Sequence, residues 1–285
     1  MTEHLSGPAR TLTPSNTGPD SSPNAPHSPS DEQGHIPSGH ELEQEIYDAC
    51  DGRLIDFHWF RTDWQRGGAS TAKGMFHVDD LKTVNVVIKL PVPTVERLWL
   101  TRLSEAGNDI VPRIFAHGDR LGNYPIDWII MEHLPHGPLS SKWDGAEFDL
   151  LVEAYGRMAD AMNTFPVDEQ PHRKEWEEIW HKSRENVHAH AIPNEQRWNK
   201  ALKQAHRKLK GWLTTLDDQP MDHWVHGDLH LGNALSRVAP PDGPAQLIDF
   251  ACVHAGHWLD DAVYLEHLYW SRRDMLKGRK LCSMI

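Results

Sequence analysis

The hydrophobic period of the chain changes near residue 135, and this change limits the folds that the sequence can adopt. Residues 54–131 contain strand-like runs, of which 84–90 is the clearest because it is rich in β-branched side chains. Beyond the connector 135–138, apolar residues recur at helical spacing over 146–164 and 194–217. The pattern predicts an α+β protein of two lobes, a small β-rich N-terminal lobe and a mostly helical C-terminal lobe.

The two lobes divide the chain at the connector, so we place the N-terminal lobe at 41–134 and the C-terminal lobe at 135–285. Within the first lobe, one helix is predicted after Pro93. In the second lobe, Asp144 and either Asp260 or Asp261 are predicted helix caps. The remaining predicted elements are strands at 113–116 and 126–131, a helix at 173–190, hairpin arms at 234–238 and 245–249, and a last helix that ends at Trp270.

The first 40 residues have a different composition from the rest. Proline, serine and glycine account for 18 of them, and large apolar residues are few. Such a segment cannot bury enough apolar surface to offset the entropy cost of ordering. We therefore predict a disordered Pro/Ser/Gly-rich tail at 1–40.

Charge and cysteine content argue against several functional classes. The chain of 285 residues has a formal net charge of −12 and three separated cysteines with no CxxC pair. A basic surface is typical of nucleic-acid binding, and paired cysteines are typical of disulfide frameworks or zinc sites. The chain also has no apolar run long enough to span a membrane. We expect a cytoplasmic protein without a signal peptide and without a nucleic-acid or membrane partner; its oligomeric state stays open.

The densest group of reactive side chains lies in two short motifs, His226-Gly227-Asp228-Leu229-His230-Leu231-Gly232-Asn233 and Leu247-Ile248-Asp249-Phe250. The side chains of Asp228, Asn233 and Asp249 bear hard oxygen atoms, which suit Mg²⁺. The sequence spacing from Asp228 to Asn233 is the same as the spacing from the catalytic base to the metal-binding Asn in the protein-kinase catalytic loop. Asp249 follows a predicted hairpin, where the second metal-binding Asp of that template stands. The combined order predicts phosphoryl transfer.

The two motifs resemble those of the aminoglycoside phosphotransferase family, a branch of the protein-kinase-like fold, and the resemblance covers residues 50–270. It implies that Asp228 is the catalytic base and that Asn233 and Asp249 hold Mg²⁺. It also implies ATP or GTP as the phosphate donor and a hydroxyl group of a small molecule as the acceptor. Members of the family usually carry further helices at the C-terminal end, so a shorter C-terminal lobe is expected here.

Such folds hold the donor phosphates with a lysine on the third strand, which pairs with a glutamate on the following helix. Lys89 ends the clearest predicted strand. Glu96, in the first turn of the next helix, is our choice for its partner, and Glu105 is the reserve.

Two further segments of the N-terminal lobe are candidates for nucleotide binding. Gly67, Gly68 and Ser70 belong to a glycine-containing turn between strands, which is the candidate loop over the phosphates. By analogy with the fold, the segment from Glu132 to Leu134 is the hinge whose backbone meets a purine. Neither segment carries a specific motif.

Three other interpretations stay open at this level. His226, Asp228 and His230, joined by His254 or His257, could ligate a catalytic metal. The chain could instead be a catalytically impaired member of the fold that binds nucleotide without transferring phosphate. The acidic and amide side chains beside glycines could also simply form turns.

Overall fold

The structure is a computed structural model that describes residues 39–60, 69–107, 109–141, 145–167 and 175–285. Its strands are β1 (Leu54–Phe60), β2 (Ser70–Asp79), β3 (Lys82–Leu90), β4 (Ile114–Gly118), β5 (Trp128–Glu132), β6 (His223–Val225), β7 (Ala234–Ser236), β8 (Ala245–Leu247) and β9 (His254–Gly256). Its α-helices are α1 (Glu43–Ala49), α2 (Thr94–Ala106), α3 (Ala146–Met162), α4 (Trp176–Ala189), α5 (Glu195–Asp217) and α6 (Leu259–His267). Most of the predicted tail lies outside the described residues, which begin with a single 3₁₀ turn at Gly39–Leu42.

The N-terminal lobe is an antiparallel five-stranded sheet in the order β1-β2-β3-β5-β4. Alternating β-branched residues of β3 put Val86 and Ile88 into the core beneath the sheet, where they are fully buried. The same alternation turns Lys89 to the other face, and Thr71 of β2 lies directly opposite it. The sheet therefore presents the lysine on the side away from its own core.

Helix α2 follows β3 in the chain, but its apolar face belongs to the core of the C-terminal lobe. Trp99, Leu100 and Leu103 are buried there. The ring of Trp99 packs edge-to-face on Trp224, with the ring centroids 5.0 Å apart, and on Phe165 at 5.4 Å. The helix after the sheet thus joins the two lobes through apolar contacts.

The C-terminal lobe is built around α3, whose predicted amphipathic pattern is confirmed. Phe148, Leu151 and Met158 are fully buried at helical spacing. The helix begins after Gly145, which has a left-handed backbone, and the predicted cap Asp144 lies outside the described residues. The short strands pair as β7 with β8 and β6 with β9, and they lie against this helical core.

Helices α4 and α5 pack on each other and contribute little to the core. Val187 is the buried residue of α4, and no residue of α5 is buried in the part of the chain that the structure describes. No helix among the described residues is long and apolar enough to cross a membrane. We refer to the pair, Trp176–Asp217, as the α4–α5 hairpin.

The structure departs from the prediction near the C-terminus. The hairpin arms are shorter than predicted, so Asp249 lies in the turn after β8 rather than in a strand. Strand β9 was not predicted, because three residues are too short for a periodic signal. Helix α6 ends at His267 rather than Trp270, and Asp260 and Asp261 lie in its first turn rather than at its cap.

Candidate active site

The first part of the site is an ion pair between β3 and α2. The Nζ of Lys89 donates to both carboxylate oxygens of Glu96, at 2.7 and 2.9 Å. The glutamate is 1% exposed and the lysine 17% exposed. Burial alone would lower the pKa of Lys89, but the carboxylates of Glu96 and Asp249 raise it above its ordinary value, so the lysine stays charged. Glu96, rather than the reserve Glu105, is therefore the partner in this structure.

Asp249 joins this ion pair from the C-terminal lobe. Its Oδ1 lies 3.2 Å from the Nζ of Lys89, and its side chain is 40% exposed. The backbone of Asp249 is left-handed, with φ of 66°, a conformation that aspartate tolerates better than most residues. The carboxylate therefore has one side on the lysine and another side open to a ligand.

The second part of the site is the loop His226–Asn233. Asn233 closes the loop on itself, because its Nδ2 donates to the backbone oxygen of Asp228 at 3.0 Å and to Oδ2 of Asp228 at 3.1 Å. Gly227 has a φ of 78°, and a Cβ there would lie 2.2 Å from the backbone oxygen of Cys252. Only glycine fits that position, which explains why it stands directly before the aspartate.

The carboxylate of Asp228 is held by several donors. Nε2 of His230 lies 3.5 Å from Oδ2, and the hydroxyl of Tyr264 donates to Oδ1. Burial would raise the pKa of Asp228, but the hydrogen bonds from His230, Tyr264 and Asn233 lower it below its ordinary value. The aspartate is thus held as an anion, the form that a general base requires.

Asp261 of α6 fixes the start of the same loop. Its two carboxylate oxygens accept from the backbone N–H of His226 at 2.7 Å and of Gly227 at 2.8 Å. The side chain is fully buried. Sequence reasoning treated Asp261 as a helix cap and did not consider Tyr264, since contacts of residues more than thirty positions apart leave no local pattern. The one signal in the sequence for a buried Asp261 was its place beside the apolar positions Ala262 and Leu265.

The donor atoms fit the Mg²⁺ that the resemblance implies. Both amide contacts of Asn233 use Nδ2, so its Oδ1 remains an acceptor. The backbone N–H of Ile248 donates to the backbone oxygen of Asn233 at 3.0 Å, which ties this residue to the segment that carries Asp249. Mg²⁺ prefers such oxygen atoms and is usually held by one or two protein groups together with phosphates and water.

The histidine-metal interpretation has no support in the structure. Among the described residues, no group of three or more His, Cys, Asp or Glu side chains is arranged to hold a metal ion. His226 is fully buried and its Nε2 lies 3.1 Å from the backbone oxygen of Ile248. Nδ1 of His230 accepts from the backbone N–H of Gly232 at 2.9 Å. Both histidines therefore have structural partners within the loop.

The two residues of the candidate hinge, Glu132 and Leu134, differ in the hydrogen-bonding groups that they have available. The carboxylate of Glu132 is held in a multidentate contact by Arg237, with distances of 2.7 to 2.9 Å. Leu134 is buried, and its backbone N–H donates to no acceptor in the part of the chain that the structure describes. At the hinge, the backbone amide of Leu134 is therefore the available donor, while the side chain of Glu132 is committed to Arg237.

The candidate phosphate loop lies only partly within the described residues. Gly67 and Gly68 lie outside the described residues, and Ser70 begins β2, where its Oγ accepts from the backbone N–H of Gly39 at 3.3 Å. Thr71, the residue opposite Lys89, has a buried hydroxyl that finds no hydrogen-bond partner among the residues that the structure describes. Sequence reasoning did not single out Thr71, because its burial depends on the sheet register.

Comparisons with known proteins agree with this geometry. A sequence model of the phosphotransferase enzyme family matches residues 95–275. A search of curated proteins finds no match. Among solved structures, a protein of Ralstonia eutropha JMP134 described as an aminoglycoside phosphotransferase has a TM-score of 0.52 and 18% identity, with 86% of this chain and 77% of that chain covered.

Aminoglycoside phosphotransferase APH(3'')-Id from Streptomyces rimosus ATCC10970 matches with a TM-score of 0.48 and 15% identity, covering 86% of this chain and 90% of that chain. At such identities, the similarity to the Ralstonia protein demonstrates a common fold. The family match covers more than half of the chain. The chain therefore belongs to the phosphotransferase enzyme family, and it has the two-lobed, protein-kinase-like fold of the aminoglycoside phosphotransferases.

Proposed function

We propose that the chain transfers the γ-phosphate of a nucleoside triphosphate to a hydroxyl group of a small molecule. The observation that carries the proposal is the meeting of two groups from different lobes. Lys89, which is bonded to Glu96, also contacts Asp249, and Asp249 follows directly on the segment bonded to Asn233 and hence to the loop of Asp228. This is the residue set that phosphoryl transfer requires.

The roles of the side chains follow from their charges and contacts. Lys89, kept cationic and fixed by Glu96, would bind the donor phosphates. Asn233 and Asp249 would hold Mg²⁺, which supplies further positive charge on the transferring phosphate group. Asp228 would orient the acceptor hydroxyl and take its proton as the oxygen attacks phosphorus. Most of the rate enhancement would come from positioning and electrostatics.

The nucleotide base would lie at the hinge. The backbone N–H of Leu134, just after the end of β5, donates to no acceptor among the described residues, and a purine ring nitrogen is a suitable acceptor for it. This contact by itself favours neither ATP nor GTP, so both are tested. Gly67, Gly68 and Ser70 would cover the phosphates, as proposed from the sequence.

Calorimetric titration tests the nucleotide site. We expect ATP or GTP to bind wild type only weakly without Mg²⁺ and more tightly with it. Asp249→Ala should remove most of the Mg²⁺ dependence, whereas Asp242→Ala, in the exposed β7–β8 turn, should leave it unchanged. Absence of nucleotide binding to the folded wild-type protein would refute the proposal.

An acceptor screen then tests the reaction. Release of nucleoside diphosphate is measured with panels of aminoglycosides, sugars and amino alcohols, each against a control without acceptor. Acceptor-dependent release, with mass-spectrometric detection of the phosphorylated acceptor, is the expected result. Tight Mg²⁺-nucleotide binding without transfer to any acceptor would favour the catalytically impaired alternative.

A further inference from the structure

We infer that Tyr264 is a positioning residue, which orients the carboxylate of Asp228 for proton transfer from the acceptor hydroxyl. The inference rests on the proposed function, because it assigns Asp228 the role of base. Its basis is a direct contact: the phenol hydroxyl of Tyr264, on α6, donates a hydrogen bond to Oδ1 of Asp228. No motif in the sequence marked this tyrosine.

The two oxygens of Asp228 have different partners. Oδ1 accepts from Tyr264, while Oδ2 accepts from Nδ2 of Asn233 at 3.1 Å and lies 3.5 Å from Nε2 of His230. Rotation of an aspartate carboxylate about its last side-chain bond is soft and roughly two-fold. A donor on each oxygen fixes that rotation, so Tyr264 and Asn233 together define the plane of the carboxylate.

Tyr264 is itself held by the helix that carries Asp261. The two residues are one helical turn apart and lie on the same face of α6. Asp261 binds the backbone of His226 and Gly227, and Tyr264 binds the side chain of the next residue, Asp228. One face of one helix therefore fixes both the loop backbone and the base.

The phenol hydroxyl of Tyr264 keeps its proton and so remains a hydrogen-bond donor. Burial, followed by the contact with Asp228, raises the pKa of Tyr264 above its ordinary value. The hydroxyl proton is therefore retained and points to the carboxylate. A carboxylate oxygen has a second lone pair, so Oδ1 can accept from Tyr264 and from an acceptor hydroxyl at the same time.

The test compares Tyr264→Phe with Tyr269→Phe in the full chain. Tyr269 lies just after the end of α6, and its ring packs on Phe148 with the ring centroids 5.3 Å apart. We expect Tyr264→Phe to lower kcat by roughly 10- to 100-fold, the size of a lost hydrogen bond to a charged group. KM and Kd for the Mg²⁺-nucleotide should stay at the wild-type values, and Tyr269→Phe should leave kcat unchanged.

A crystal structure of each variant gives a readout that needs no turnover. In Tyr264→Phe, we expect the Asp228 carboxylate to rotate or to occupy two orientations; in Tyr269→Phe it should keep its wild-type orientation. An unchanged carboxylate or an unchanged kcat in Tyr264→Phe would overturn the inference.

Two further outcomes would also overturn it. A higher kcat in Tyr264→Phe would mean that the phenol blocks the place of the acceptor hydroxyl. A phosphate group on Tyr264 after incubation with Mg²⁺-ATP, detected by mass spectrometry, would make the tyrosine an acceptor. Failure of the proposed function is a different result, since wild type would then bind no Mg²⁺-nucleotide or transfer phosphate to no acceptor. The orientation of the Asp228 carboxylate in the two variants would still test the contact.

Discussion

The loop His226–Asn233 and the α4–α5 hairpin are stabilised in different ways. The loop has little regular structure, yet its backbone and side chains are bonded to Asp261, Asn233 and Tyr264. The hairpin is regular helix, and it has almost no buried residue in the described part of the chain. In this chain, the position of a segment is fixed by its polar contacts rather than by regular secondary structure.

The hairpin has a few internal contacts of its own. The Nε1 of Trp180 donates to the backbone oxygen of Leu202 at 2.9 Å, and its ring stacks on His206 at 3.9 Å. Trp198 and Trp212 are about half exposed, at 51% and 54%. The comparison predicts that equally small substitutions have large effects in the loop and small effects in the hairpin.

The largest effect is expected at Asp228, the proposed base. Asp228→Asn keeps the size of the side chain but removes its ability to take a proton, so kcat should fall by roughly 10²- to 10⁴-fold. Calorimetry should show nearly unchanged nucleotide Kd. The matched control is Glu185→Gln in α4, an exposed carboxylate, which should leave both quantities unchanged. Full activity of Asp228→Asn would refute the assignment of the base.

The next effect concerns stability. Asp261→Asn replaces one buried acceptor oxygen by a donor group that faces a backbone N–H, and we expect a loss of about 2 kcal/mol in the free energy of unfolding. Chemical denaturation measures it. Asp260→Asn, at the adjacent and exposed carboxylate, should cost much less. Equal losses in the two variants would show that the buried contacts do not anchor the loop.

A smaller effect is expected at the ion pair between Lys89 and Glu96. Glu96→Gln removes the negative charge that fixes Lys89, so the Kd of Mg²⁺-nucleotide should rise by roughly tenfold, as for a lost charged hydrogen bond. The control is Glu105→Gln, on the same helix but exposed. A Kd that rises equally in both variants would point to a general effect of charge.

The smallest effect is expected in the hairpin. Trp212→Gln removes an indole that is about half exposed, and it should change the free energy of unfolding by less than about 0.5 kcal/mol, as surface substitutions do. Denaturation midpoints would measure it, beside Trp224→Gln in the core as the reference. A loss as large as that of Trp224→Gln would contradict the expected difference between the loop and the α4–α5 hairpin.

The sequence predicted the parts of the molecule that depend on local order. The hydrophobic periods of β3, α2 and α3 are local properties, and so the strand that carries Lys89 and the helix that starts before Glu96 were predictable. The spacing within the loop of Asp228 is local as well. Proximity of Asp249 to Lys89 followed only through the resemblance, since 160 residues separate them.

The parts that were missed depend on tertiary contacts. The roles of Asp261 and Tyr264 arise because α6 packs against the loop. The sequence alone does not distinguish a buried aspartate from a solvated one. Thr71 was missed because its place opposite Lys89 depends on strand register. The commitment of Glu132 to Arg237, 105 residues away, has the same origin.

The attachment of α2 has a consequence for motion. Lys89 extends from a strand whose apolar residues are in the core of the N-terminal lobe, whereas Trp99 and Leu103 place Glu96's helix in the other core. The lysine–glutamate contact therefore connects two elements whose apolar side chains pack in different cores. A shift of one core relative to the other would therefore change the distances between Nζ of Lys89 and the carboxylate oxygens of Glu96. A distance measurement by spectroscopy between labels on β3 and α2 would thus report such a shift.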